Sequence, residues 1–150
     1  MREEESEVHD SPTGWVAAHI RRYVAGEGSS GHLLYGKPTL LLTTRGRRSG
    51  MLRRTGLIYA EDAGNYVVVG SNGGSDQHPH WYLNLRADPR VRVQVIAERF
   101  VAVAREAEGE ERTRLWEVMT AVFPQYESYR GKTGRRIPVV VLEPRRAAPE

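Results

Sequence analysis

The sequence contains no cysteine, so it can form no disulfide bond and has no thiolate for catalysis. It also lacks any run of the about 20 apolar residues that a membrane-spanning helix needs. Residues 1–7 are mostly acidic and lack the apolar centre of a signal peptide. These absences favour a soluble intracellular domain, and we expect a cytoplasmic protein.

The chain also lacks a strong excess of one charge and the common catalytic motifs. Its 22 Lys and Arg residues are set against 19 Asp and Glu residues, a net charge of +3, so no nucleic-acid partner is predicted. No Gly-x-Ser-x-Gly elbow is present, which gives a hydrolase little support. His78 and His80 have no third ligand nearby, so no metal is predicted. We therefore expect the chemistry to come from a bound cofactor acting on a small molecule.

The most distinctive segment is an arginine-rich turn, defined here as residues 45–54, with the sequence RGRRSGMLRR. Gly46 and Gly50 permit a tight reversal between the apolar runs 40–42 and 57–59. Guanidinium groups fixed on such a turn can each bind two oxygens of a phosphate or carboxylate. The sequence therefore predicts that an anionic ligand binds at this turn.

The order of the patterns predicts an α+β fold in which about six strands form an antiparallel barrel with peripheral helices. Residues 1–11 are expected to be a disordered tail, residues 12–144 one domain, and residues 145–150 a charged tail. Strands are predicted at 38–44, 56–60, 66–71, 91–95, 100–104 and 137–142. Helices are predicted at 80–86 and 110–123.

A first helix is predicted to begin at Ser11, as the N-cap, and to end near Gly26. Its apolar stripe, at positions 16, 20, 23 and 24, is expected to pack on the domain. Two arginines at positions 21 and 22 flank this stripe, so a peripheral membrane contact is the alternative.

Two further segments have the composition of ligand-binding sites. Residues 70–74 (GSNGG) follow a strong strand, and their backbone N–H groups and the Ser71 hydroxyl suit a ligand; a plain turn is the alternative. In residues 78–85 (HPHWYLNL), Trp81 and Leu85 share a helix face that is expected to meet the core. Asn84 lies beside that face, where it can contact a ligand or cap the turn.

Three aromatic residues at a spacing of three, Phe123, Tyr126 and Tyr129, stand over one surface if this segment is helical or turn-like. They predict either ordinary core packing, which the spacing alone favours, or a substrate wall. In a substrate wall, the phenol groups would orient or protonate an acceptor.

Taken in order, the motifs at 40–50, 70–74, 78–95 and 137–144 resemble the deazaflavin-dependent nitroreductase family. The resemblance spans roughly residues 15–144, and the Trp-Tyr-Leu-Asn-Leu block at 81–85, followed by Ala-Asp-Pro, is its most specific part. It implies a split β-barrel that binds the deazaflavin coenzyme F-420. It also implies hydride transfer from the reduced coenzyme to a quinone, a nitroaromatic compound or an activated enone.

The same resemblance implies the residues of the site. The coenzyme's phosphodiester and oligoglutamate tail would contact Arg47, Arg48, Ser49 and Arg53. The ring would be bordered by Arg54, Thr55, Gly56, Leu57, Ile58, Val69, Gly70, Ser71 and Asn72. A further cofactor stretch comprises His80, Trp81, Tyr82, Leu83 and Asn84. Catalytic roles are implied for Ser71, Tyr126 and Tyr129, and Tyr126 also borders the cofactor.

Three residues depart from the family pattern. Phe123 and Ile58 stand where tyrosines are expected, and Asn72 stands where a lysine is expected. These departures leave cofactor binding more secure than acceptor identity, so a non-catalytic coenzyme- or lipid-binding member of the fold is the alternative function. FMN is the less favoured cofactor, because its single phosphate would leave several arginines without partners. Monomer and homodimer both remain open.

Overall fold

A single mixed sheet carries the fold. The computed structural model describes residues 8–10, 14–28, 32–34 and 36–145. Within these residues the strands are β1 Val8–Asp10, β2 Leu33–Leu34, β3 Lys37–Arg45, β4 Leu52–Ile58, β5 Ala60–Asp62, β6 Asn65–Val69, β7 Arg90–Val95, β8 Glu98–Glu106 and β9 Val139–Arg145. The helices are α1 Gly14–Ala25, α2 His80–Ala87, α3 Gly109–Val122 and α4 Gln125–Lys132, and a short 3-10 turn spans Asn72–Gly74.

The strands pair in the order β1-β4-β3-β7-β8-β9-β6-β5, and β2 pairs with β3 beside this path. The β1–β4 pair is parallel, and the other described pairs are antiparallel. The predicted α+β class is therefore confirmed, and β1 is the exception to the expected antiparallel pairing among the described strands. The pairings among the described strands do not show a closed barrel.

The register between β3 and β4 sorts the residues of β4 into two faces, because residues directly opposite each other point to the same side. One face carries Arg53, Thr55 and Leu57, which lie opposite Thr44, Leu42 and Leu40. The other face carries Arg54, Gly56 and Ile58. A Cβ added to Gly56 would lie 3.3 Å from His19 Nδ1, so this second face looks toward α1.

The two faces of the sheet cover different cores. The first core contains Leu40 and Leu42 together with valines of β7, and Leu57, Trp81 and Leu83 pack at its edge. The second core lies between the sheet and helices α3 and α4. Val68 belongs to the first core and its neighbour Val69 to the second, as the alternation of side chains along a strand requires.

Helix α1 packs against the sheet through its apolar stripe, which confirms the packing expected of it. Ile20 and Tyr23 are fully buried against Leu41. The Tyr23 hydroxyl donates to the Thr39 carbonyl at 2.9 Å and accepts from the Ile96 N–H at 2.7 Å. The face proposed for membrane contact is thus covered by the sheet, and no helix in the described part of the chain is long and apolar enough to cross a membrane.

The sequence-based boundaries need correction at several places. The strand predicted at 56–60 runs from Leu52 to Ile58, with β5 following as a separate strand, and Arg145, predicted in the tail, lies in β9. Val8–Asp10, assigned above to a disordered tail, forms β1, because backbone pairing with β4 and an ion pair to Arg54 hold three residues with little apolar character. Helix α4, for which the sequence left a turn as an alternative, is present although its segment is mostly polar. The N-cap predicted at Ser11 lies outside the described residues.

Candidate functional site

The arginine-rich turn forms a hairpin as predicted, but only residues 46–51 are its tip, since Arg45 lies in β3 and residues 52–54 lie in β4. Gly46 N–H donates to the Met51 carbonyl at 2.7 Å, and Gly50 adopts a positive φ of 74° while its N–H donates to the Gly46 carbonyl at 2.8 Å. Arg45 Nη1 closes the turn by donating to the Gly50 carbonyl at 2.7 Å. The tip is therefore an ordered platform for its exposed side chains.

On residues 46–51 the exposed side chains are those of Arg47, Arg48 and Ser49. The Ser49 hydroxyl accepts from the Met51 N–H at 3.1 Å, which turns it toward its own backbone. The side chains of Arg48, on the tip, and of Arg53, exposed in β4, make no hydrogen bond or ion pair with any described residue. Two uncommitted guanidinium groups on an ordered hairpin fit a phosphodiester or a run of carboxylates.

Asn84 connects this turn to helix α2. Its Oδ1 accepts from the backbone N–H of Arg47 at 3.2 Å and from Arg47 Nη1 at 2.9 Å, and its Nδ2 donates to Thr44 Oγ1 at 3.2 Å. Arg47 Nη2 also lies 3.5 Å from His80 Nδ1. With only 3% of its surface exposed, Asn84 works as a structural link that aims Arg47, so it caps the turn rather than facing outward.

Helix α2 is fixed from its buried side by Tyr82. The Tyr82 hydroxyl donates to the Glu106 carboxylate at the end of β8, and its ring lies 4.7 Å from the His78 ring. Burial, followed by the hydrogen bond to Glu106, raises the pKa of Tyr82 to about 12, so the phenol stays protonated at neutral pH. Trp81 is only half-buried and packs at the edge of the first core beside Leu83.

The glycine loop, defined here as residues 70–75, is held by Arg135, which belongs to none of the sequence motifs. Arg135 donates from Nη1 and Nη2 to the Gly70 carbonyl at 3.2 Å each, from Nη2 to the Ser71 carbonyl at 2.8 Å, and from Nε to the Ser75 carbonyl at 2.8 Å. Its Nη1 also lies 3.1 Å from His78 Nδ1. No sequence pattern marks such a contact, because the acceptors are backbone carbonyls.

These contacts join the predicted segments into one region. From the turn, Arg47 reaches Asn84 and His80 at the start of α2, and His78 just before α2 contacts Arg135, which grips the glycine loop. The structure therefore brings the turn, the start of α2 and the loop together around one end of the sheet. Ser71 lies in this region and is 8% exposed.

Comparison with known proteins shows the family to which the chain belongs. The model of the F420H(2)-dependent quinone reductase family matches residues 15–144. The chain belongs to that family. It is 38% identical over 128 residues to the F420H(2)-dependent quinone reductase Rv1261c of Mycobacterium tuberculosis, covering 83% of this chain and 86% of that protein.

Two solved structures show the same relationship. One, described as a domain-swapped dimer, is 38% identical, has a TM-score of 0.68, and is matched over 89% of this chain and 100% of its own. The other, the F420-H2 dependent reductase FDR-A, is 42% identical with a TM-score of 0.66, over 71% of this chain and 94% of its own.

Family membership confirms three predictions: the protein is an oxidoreductase, its cofactor is the reduced coenzyme F-420, and its function is that of a quinone reductase. The predicted family is confirmed in its deazaflavin cofactor, whereas the family matched is named for a quinone and not for a nitro compound. Nitroaromatic and enone acceptors remain predictions.

The predicted ring-binding stretch of β4 divides between the two faces of that strand. Arg53, Thr55 and Leu57 share the face of the first core, on the same side as Thr44 and hence as Asn84. Arg54 looks the other way and forms a two-bond ion pair with Asp10, at 2.6 and 3.2 Å. Ile58 is 8% exposed on that second face, so its side chain is turned away from Leu57.

Asn72 and Gly70, two loop residues expected beside the ring, make contacts within the protein. Asn72 is exposed and donates to the Gln77 carbonyl at 2.9 Å, so its amide closes its own loop. Gly70 N–H donates to the Pro138 carbonyl at 2.9 Å, and an added Cβ would lie 2.8 Å from Pro138 Cγ. Glycine is therefore required at position 70 by close packing.

The two tyrosines with predicted catalytic roles differ in position. Tyr126 is 5% exposed in the second core, where its ring lies 5.0 Å from the Phe123 ring, and burial raises the pKa of its hydroxyl. Tyr129 is half-exposed and packs beside Gly74, since a Cβ on that glycine would meet the Tyr129 Cα at 3.2 Å. Tyr129 thus borders the glycine loop, whereas Tyr126 is enclosed in the second core.

Proposed function

We propose that this protein oxidises the reduced coenzyme F-420 and reduces a quinone in a site that extends from the arginine-rich turn to the glycine loop. The observation that carries the proposal is the continuous set of contacts from Arg47 through the start of α2 to Arg135 and Ser71. It supports one elongated site with a cationic end and a glycine-rich end.

The cationic end would hold the charged tail. Arg48 and Arg53 supply guanidinium groups without partners among the described residues, and Asn84 aims Arg47. Such groups form charge-assisted hydrogen bonds with phosphate and carboxylate oxygens, and an ordered turn loses little entropy when it does so. The remaining predicted tail contact, Ser49, lies on the same tip.

The glycine-rich end would border the ring, with Ser71 and Tyr129 nearest to the reacting centre. When bound, the reduced coenzyme supplies a hydride, and the quinone takes up that hydride and a proton. The residues of this chain hold the two molecules in register and restrict water, which is the main contribution that positioning can make. Thr55 and Leu57 extend this side of the site along β4.

The test is anaerobic titration of the purified protein with the reduced coenzyme, followed by oxidation with menadione. We expect micromolar binding and turnover in the wild type. Combined replacement R48A/R53A should weaken coenzyme binding about 100-fold or more, with little effect on stability, because each lost charged contact contributes about 1.5–3 kcal/mol and tenfold corresponds to about 1.4 kcal/mol. The matched control is R99A, an exposed arginine on β8.

Absence of binding by the wild type would contradict the proposal. Equal losses in R48A/R53A and R99A would show that the turn is not the tail site. Titration with FMN forms a third arm, for which weaker binding is expected because FMN carries one phosphate.

A second candidate function is coenzyme or lipid binding without turnover. The burial of Tyr126 favours it, because the hydroxyl expected to act on a substrate is enclosed by the second core. Tight binding of the coenzyme without oxidation by any member of a quinone panel would establish this function.

We also propose an oligomeric state for the protein. Since a relative at 38% identity is described as a domain-swapped dimer, we expect this chain to form a homodimer, which light scattering can measure. The split-barrel form of the sheet and the cytoplasmic location stay predictions, whereas the packing of the apolar stripe of α1 on the sheet disfavours a peripheral membrane contact.

A further inference from the structure

Arg135 has an unusual set of partners for a half-buried arginine. Its guanidinium group is surrounded by three backbone carbonyls and one imidazole nitrogen, all from residues 70–78. No ion pair joins it to a carboxylate among the described residues. Burial lowers the pKa of Arg135, which means that the fold keeps the charge there at a cost.

The gripped carbonyls determine the shape of the glycine loop. Asn72, Gly73 and Gly74 all have positive φ, and glycine-rich backbone has many accessible conformations. Arg135 binds the loop at both ends, at Gly70 and Ser71 and again at Ser75. In a planar trans peptide the N–H points opposite to the carbonyl, so the same bonds also orient the N–H groups of Ser71 and Asn72.

His78 extends this grip to helix α2. A guanidinium group can only donate, so His78 Nδ1 must accept from Arg135 and the ring must be neutral. The ring also packs at 4.7 Å on Tyr82, which is anchored in α2. Charged neighbours of His78 come from three elements: Arg135 before β9, Glu106 at the end of β8 and Arg86 in α2.

We propose that Arg135 is a positioning residue for hydride transfer, which fixes the glycine loop and ties it to the start of α2 through His78. The inference rests on the proposed coenzyme site. The tail is bound elsewhere, at the arginine-rich turn, so Arg135 acts on the geometry at the reacting centre. A misplacement of about 1 Å at such a centre can cost about 100-fold in rate.

The experiment compares R135Q and R135K with R136Q, the matched control at the neighbouring exposed arginine, whose one ion pair among the described residues is a 3.6 Å contact with Glu108. Coenzyme affinity and the single-turnover oxidation rate with menadione are measured separately. We expect R135Q to slow oxidation about 10- to 100-fold while affinity changes much less, since positioning acts on the rate. R135K should lie between R135Q and the wild type, and R136Q should match the wild type.

A second readout uses the free protein. Removal of the adjacent cation should raise the pKa of His78, measured by NMR, toward its ordinary value in R135Q but not in R136Q. An unchanged oxidation rate, or an unchanged His78 pKa, would overturn the proposal, as would a loss confined to coenzyme affinity. If R135Q does not fold, R135K carries the rate measurement, because lysine keeps the cation but loses the planar fork that binds the three carbonyls.

The two proposals can fail separately. If the wild type does not oxidise the coenzyme, the proposed function fails, while the His78 measurement still decides whether Arg135 controls the loop and α2. If the wild type is active and R135Q oxidises the coenzyme at the same rate, only the role of Arg135 fails.

Discussion

Asn84 shows how much of the site depends on a single buried side chain. One amide accepts twice from Arg47 and donates once to Thr44, so it uses hydrogen bonds on both sides to fix β3, the turn and α2. Its 3% exposure means that water cannot replace these bonds easily. At the scale of residues, the orientation of the cationic tip is therefore set by a neutral group.

We predict that N84A lowers the free energy of unfolding by about 1–3 kcal/mol, since it leaves buried hydrogen-bonding groups without partners. Coenzyme affinity should also fall, because Arg47 loses its fixed direction. Denaturant unfolding and coenzyme titration measure the two effects. T44V is the control, because it removes only the bond to Nδ2; if N84A behaves like T44V in the titration, Asn84 does not aim Arg47.

At the scale of elements, β1 adds a short parallel strand to the outer edge of β4. Its backbone pairs Val8 with Leu52 and Asp10 with Arg54, and the carboxylate of Asp10 binds the Arg54 guanidinium group through two oxygens. This pair occupies one of the five arginines of the turn with a structural partner. Arg54 was expected beside the ring. Instead, its side chain lies on the second face of β4 and its ion pair with Asp10 helps to hold β1 in place.

We predict that D10N leaves coenzyme affinity nearly unchanged and reduces the free energy of unfolding by about 1 kcal/mol or less, the usual range for a partly exposed ion pair. Titration and denaturant unfolding are the measurements, with E98Q as a control at an exposed acid of β8. A tenfold change in coenzyme affinity would return Arg54 to the ligand site.

At the scale of the whole molecule, helix α3 is attached to the sheet by ion pairs as well as by its buried residues. Arg114 binds Asp62 of β5 at 2.7 Å, and Glu111 binds Arg105 of β8 at 2.6 Å. The hydrogen bond from Arg114 lowers the pKa of Asp62, and the hydrogen bonds from Arg105 lower the pKa of Glu111.

A carboxylate whose pKa is lower in the folded than in the unfolded state stabilises the fold at any pH above its unfolded pKa, which is about 4. This stabilisation is lost as the pH falls from the unfolded pKa through the folded pKa. We therefore predict that stability decreases below about pH 4 and that E111Q is less stable than the wild type at pH 7 but loses less on acidification. Denaturant midpoints measured at pH 7 and at a pH below about 4 test this prediction. E117Q, an exposed acid on the same helix, should behave as the wild type does.

The sequence was sufficient for features with strong local signals. Gly46 and Gly50 between two apolar runs predict the hairpin, and the alternation of Val91, Val93 and Val95 predicts β7. It was insufficient where contacts between distant parts of the chain determine the structure. Asp10 and Arg54 are 44 positions apart, and the pairing of β1 with β4 brings them together.

The candidate site follows the same rule. Its segments could be predicted because each has a distinctive composition, but the contacts that connect the segments could not. Arg135 binds carbonyls, which every residue possesses, and the spacing of Tyr126 and Tyr129 is the same whether a ring faces a core or a ligand. Burial separates the two tyrosines, and burial is a property of the assembled fold.

The two acceptor bonds of Asn84 also make the ends of the site thermodynamically interdependent. We predict that an anion which strengthens the Arg47–Asn84 contacts also stabilises α2, and by reciprocity that stabilising α2 favours the anion. A glutamate peptide that mimics only the tail should therefore increase the affinity for a tail-less deazaflavin, and N84A should abolish that cooperativity between two halves of one coenzyme.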